Sequence, residues 1–179
     1  MVVPLLPKEL IHGLLPATPA FPWRLAPLDV GKLDGYLSRC EWLSIGYGLG
    51  SKAHNLMAIP PDYSEIDCSG WVRAAVAIAT GGVTILPDGS VIQHEWCDQV
   101  GLKKSAWPAL LLRDGCTRLC FIVPSPAHPV GHVLLVRNGQ TYESWGGHGP
   151  GSRSILSHIS LGVLQRAIGA VYILGRGTA

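Results

Sequence analysis

The sequence predicts an α+β fold, and two observations carry that expectation. A segment opening at Cys68 and running through WVRAAVAIAT to Gly81-Gly82 holds Arg73 as its only charge and is apolar on nearly every face. That is the signature of a helix buried in the middle of a domain. Downstream, the apolar runs His132–Arg137 and Gln140–Trp145 flank Asn138-Gly139, the strongest short-range signal for a two-residue hairpin turn. A central helix followed by an antiparallel sheet segregates the two element types along the chain.

The remaining elements follow in order. Residues 1–27 hold Pro4, Pro7, Pro16, Pro19, Pro22 and Pro27, which forbid a single helix there. Leu5, Leu6, Leu14, Leu15, Phe21 and Trp23 are too apolar for a free tail, so this segment reads as an extended arm packed on a single domain spanning 28–179. The spacing of Leu28, Leu33, Tyr36, Leu37, Cys40 and Leu43 predicts a helix from Leu28 to Leu43 that ends by Gly46. Gly, Asn and Pro make GYGLGSKAHNLMAIPPDYSEI a loop. A short helix is expected over Ser90–Val100 and a strand over Leu119–Val123. A Pro-rich loop precedes His132, a helix is expected over Ser160–Ile168, and a closing strand over Ala170–Leu174.

Composition narrows the function classes. Apolar residues are 47% and charged residues 15% of 179, which excludes a disordered chain. The net charge is only +2, with no run of Lys or Arg, so nothing supports nucleic-acid binding. No apolar stretch reaches the ~18 residues of a membrane span, and prolines interrupt an N-terminus that also lacks a basic segment, so no secretory signal is expected. Five cysteines, odd in number and without a CxxC, do not form a disulfide framework. Cys116 and Cys120 read as free buried thiols; a zinc site would need two more ligands, for which His94 and Cys97 are the candidates.

Chemistry concentrates at Cys68. A thiol opening a helix faces unpaired N–H groups and the positive end of the helix dipole, both of which stabilise the nucleophilic thiolate. The first-turn N–H groups are also placed to bind an oxyanion. A thiol nucleophile needs a base, and the base an orienting group. With Asn138-Gly139 as the turn, Arg137 faces Gln140, Val136 faces Thr141, Leu134 faces Glu143 and His132 faces Trp145. His132 and Glu143 then share a sheet face as diagonal neighbours at about 7–8 Å, a distance side chains bridge. His148, past Gly146-Gly147, is the rival orienter. Taken singly, His132 reads equally as a core histidine and Glu143 as a solvated strand residue.

The motifs together resemble those of NlpC-type cell-wall cysteine peptidases. Asp67-Cys68-Ser69-Gly70-Trp71-Val72 is similar to the family's nucleophile motif, and Trp42–Gly50 to the segment entering its site. Leu86-Pro87-Asp88-Gly89-Ser90 with Gln93, and Gly131-His132-Val133 followed by Asn138-Gly139, resemble two further family segments in the same order. The resemblance implies a papain-like core, a nucleophile helix packed on an antiparallel sheet, with Cys68 as nucleophile and His132 as base. It implies that the third polar residue is Glu143, where many members carry His, Asn or Gln and related CHAP amidases carry Glu. Tyr47, Asp67 and Ser69 match positions at the substrate groove. The implied activity is hydrolysis of amide bonds in peptidoglycan stem peptides, by a monomer acting in the periplasm or cell wall without metal or cofactor. A phage lysin or an injected toxin with an immunity partner would suit such a domain. Transfer to an acceptor other than water, or a catalytically silent wall-binding or phage structural module, are the rival readings. The long loop between Tyr47 and Cys68, the N-terminal arm and the Pro124–Pro129 loop depart from the family pattern and would reshape the groove.

Overall fold

The computed structural model describes residues 25–126, 129–158, 166–167 and 170–178. The arm proposed over 1–27 lies outside them apart from its last three residues, as does most of the Ser160–Ile168 helix. A two-residue strand β1 (Leu28–Asp29) leads into helix α1 (Val30–Trp42), and α2 spans Cys68–Ala79 and α3 Ser90–Gln99. Strand β2 (Lys104–Ser105) and a 3-10 turn (Trp107–Leu111) precede β3 (Cys116–Ile122), β4 (His132–Arg137), β5 (Gln140–Trp145) and β6 (Gly149–Ser154). A short α4 (Ile155–His158) and β7 (Val171–Thr178) follow. The strand order is β1-β7-β3-β4-β5-β6, with β2 on β7, and every pairing is antiparallel except β1 with β7. The fold is α+β, with α2 packed on β4 and β5.

Where the elements depart from expectation, a cap, a backbone turn or strand pairing explains the shift. Helix α1 starts two residues late because Asp29 caps it, its Oδ1 accepting the Lys32 N–H at 3.0 Å. It stops at Leu43 because Ser44 turns left-handed at φ 53°. Strand β3 begins at Cys116, ahead of the expected Leu119, since Thr117 and Arg118 pair on both sides. Strand β6 has no alternating apolar pattern and was not expected; it forms as the outer partner of β5, from Gln140↔Ser154 to Trp145↔Gly149.

Sheet alternation divides the core. Leu119 and Phe121 of β3 and Val133 and Leu135 of β4 pack with α1 and α2, while Cys120, Ile122, Leu134 and Val136 pack with Leu110, Ile155 and Val171. Trp71, at the start of α2, is fully buried and stacks with Tyr36 of α1, ring centroids 6.1 Å apart. That contact ties the helix carrying Cys68 to its neighbour.

Gly149 fixes the segment that leads to Tyr47. Its φ is +88°, and a Cβ there would run into the Ile45 carbonyl oxygen. Gly149→Ala is expected to cost at least about 2 kcal/mol, from backbone strain plus the clash. In a chain of this size that is a drop in melting temperature of about 5 °C or more, measurable by circular dichroism.

Candidate active site

Asp67 builds the start of α2. Its Oδ1 accepts the Gly70 N–H at 2.7 Å and the Ser69 hydroxyl at 3.0 Å, while its own N–H donates to the Ser51 carbonyl at 3.0 Å. Its Oδ2 accepts the Gly50 N–H at 3.2 Å. The first turn is thereby locked, and the N–H groups of Cys68 and Ser69 meet no acceptor among the described residues. Gly70 packs closely: a Cβ there would lie 3.0 Å from the Ser51 carbonyl oxygen and 3.1 Å from Cγ1 of Ile66, tighter than most side-chain contacts. The loop before α2 is fastened to β5 by the Ser144 hydroxyl, which donates to the Ile66 carbonyl at 2.7 Å.

The hairpin brings the second half of the site. Its ladder, Arg137↔Gln140, Val136↔Thr141 and Leu135↔Tyr142, has the register expected for an Asn138-Gly139 turn. Nε2 of His132 lies 2.7 Å from Oε2 of Glu143, whose side chain is completely buried. Arg153 Nε stands 3.8 Å from the other carboxylate oxygen, and its guanidinium sits 4.0 Å over the Trp145 ring. Nε2 being committed to Glu143, Nδ1 is the nitrogen left to face the Cys68 thiol, whose nearness favours the charged ring. Burial of the ring works against its charge, but the hydrogen bonds to Cys68 and Glu143 and their negative charges outweigh it and push His132 up to about 9. His148 has a different setting: its ring lies 5.3 Å from that of Trp145, and its N–H donates to the Trp145 carbonyl at 3.2 Å. His148 faces Ser44 and Ile45 rather than His132, so Glu143, not His148, holds the imidazole.

Tyr47 stands at the same end of α2. Burial, and the nearby charges of Cys68 and Asp67, raise its phenol. Asp67 and Ser69 were expected to line the groove, yet their polar atoms are engaged by Lys52: its ammonium contacts Oδ2 of Asp67, lies 2.7 Å from the Ser69 hydroxyl and 3.3 Å from Asp88 Oδ1. Sequence reasoning missed Lys52 because a lone lysine in a Gly-rich loop carries no periodic or motif signal. It also left Gln93 without a role; fully buried, its amide donates to the Ser69 and Pro87 carbonyls at 3.0 Å each and joins α3 to the first turn of α2. Lys52→Met is expected to cost about 1–3 kcal/mol by stripping a buried carboxylate of its cation. Thermal unfolding measures that loss, and a melting temperature unchanged within 1 °C would show the contact to be idle.

The other thiols have no such partner chemistry. All five cysteines are free and buried, and burial pushes Cys97 and Cys120 up to about 12 and raises Cys40. Among the described residues no group of three or more His, Cys, Asp or Glu side chains is gathered to hold a metal ion, and no helix is long and apolar enough to cross a membrane.

The site and fold together define an α+β domain in which a helix-terminal cysteine meets a strand histidine held by a buried carboxylate. No family model and no curated protein matches the chain. Among solved structures it is similar to a Staphylococcus aureus subsp. aureus Mu50 protein described as similar to a lipoprotein of the NLP/P60 family. The two share 14% identity at a TM-score of 0.48, over 94% of this chain and 48% of that one. The chain thus spans about half the length of that protein.

Proposed function

We propose that this chain is a cysteine hydrolase that cleaves amide bonds in peptidoglycan stem peptides, acting in the periplasm or cell wall. The observation that carries the reading is the relay from Cys68 through His132 to Glu143, assembled on the motifs that resemble NlpC-type peptidases. His132 takes the thiol proton, and the Cys68 sulfur attacks the amide carbonyl carbon, forming a C–S bond. The N–H groups of Cys68 and Ser69 stand ready for the oxyanion. The C–N bond then breaks as the imidazolium passes its proton to the leaving amine. Water, deprotonated by His132, attacks the thioester, releasing the acid and restoring the thiol. Glu143 stays charged and holds the ring throughout, as the buried carboxylate does in other nucleophile–histidine relays.

Digestion of purified peptidoglycan with mass analysis of the fragments tests the reading. Each cut must add one water; products joined to an added amine would assign transfer instead, and no change in the wall would end the proposal. An independent measure is alkylation by iodoacetamide near neutral pH. Cys68 is expected to react far faster than Cys40, Cys97 and Cys120, and a rate no faster than an ordinary thiol's would indicate a silent domain. Because His132 loses its proton only near pH 9, hydrolysis is expected to hold through neutral pH and decline as pH rises through about 9.

A further inference from the structure

Beside His132 lies a cavity of about 70 Å³ whose walls are mostly apolar, formed by Val91 and His94 of α3, Phe121 of β3, Pro124, Gly131 and His132 itself. We propose that this cavity receives the side chain of the residue whose amine leaves in the reaction, and that it selects a small, uncharged one of alanine size. The inference rests on the hydrolase reading and names the amine side of its substrate.

The position follows from the proton transfer. The leaving nitrogen must come within about 3 Å of the imidazole that protonates it. The side chain one bond further on therefore lands on the surface bordering His132, and this cavity is that surface. Neither Tyr47 nor Lys52 contributes to its lining; both stand with Asp67 at the start of α2, and in this proposal they take the acyl side of the scissile bond. Size favours a small side chain, since an enclosed apolar cavity of roughly 150 Å³ holds a benzene ring. A pocket of about half that volume, open on one side, seats a methyl or a short branched chain and leaves most of an aromatic one in solvent. Charge sets the second limit. No Asp or Glu lines the cavity, so nothing there pairs with the ammonium of a diamino acid, which the His132 imidazolium would repel, and the mostly apolar walls favour an uncharged side chain. The walls are also stiff: the His94 ring stacks on Phe121 with centroids 5.2 Å apart and meets Tyr172 edge-on at 5.6 Å.

Chemical labelling of the amino termini released when the full chain digests purified peptidoglycan reads the leaving residue directly. New termini on alanine are expected. Termini on a diamino acid, glutamate or glycine would overturn the assignment while leaving the hydrolase reading intact, and no new termini at all would overturn both. Val91 is 51% exposed, so Val91→Trp fills the cavity from its rim; release is expected to fall at least tenfold with the melting temperature held, and an unchanged rate would count against the subsite. Should Val91→Trp not fold, Val91→Ala serves: on synthetic peptides differing only after the scissile bond, its valine-to-alanine rate ratio is expected to rise at least threefold, and an unmoved ratio would refute the subsite.

Discussion

Cys68→Ala is expected to remove hydrolysis of purified peptidoglycan altogether, a fall of at least about 10⁴-fold, because no second group at the site can form the thioester. The loss should be chemical rather than structural. Asp67 caps the helix through its own side chain and Ser144 ties down Ile66, so neither contact passes through the sulfur. Unfolding temperature should stay within a few degrees of the parent. The substitution also removes the partner that most favours the protonated ring of His132, so the imidazole, followed by NMR, should titrate well below 9. Full activity in this variant would refute the nucleophile assignment, and an unchanged titration would show that the thiol and ring do not interact.

Glu143→Ala should be the second most damaging change. A hydrogen bond to a charged group is worth about 1.5–3 kcal/mol, equivalent to roughly 10- to 100-fold in rate. The alkaline decline in turnover should also move below pH 9, since the carboxylate supports the imidazolium. Glu143→Gln should restore part of the ring's alignment but not the charge, so its pH profile stays shifted even where its rate recovers. That split separates a positioning carboxylate from one needed only for packing. His148→Ala should change the rate less than threefold, because its ring rests on Trp145. The reverse order of effects would mean that the imidazole takes a different partner during turnover.

Much of the site was legible in the chain because its determinants are local. The apolar run from Cys68 to Gly81-Gly82 marks the buried helix and its start, and Asn-Gly sets the hairpin register that the ladder displays. From that register alone, His132 and Glu143 were placed on one face, and the 2.7 Å contact between them follows. Strand β6 was not legible, because Gly149–Ser154 has no pattern of its own and becomes a strand only by pairing with β5. Lys52 was invisible for a related reason: its three partners, Asp67, Ser69 and Asp88, lie 15 to 36 positions downstream and meet it only when the loop closes over α2.

By itself the sequence determined the element types around the site, the start of α2 at Cys68 and the parity of the hairpin, because helical patterning, turn geometry and side-chain alternation act over a few residues. Only the tertiary structure decided that Glu143 rather than His148 holds the ring, that Lys52 engages Asp67 and Ser69, and that a small apolar cavity borders His132. Each of those depends on how separate segments pack around the buried helix, and packing is a property of the folded whole that no local window contains.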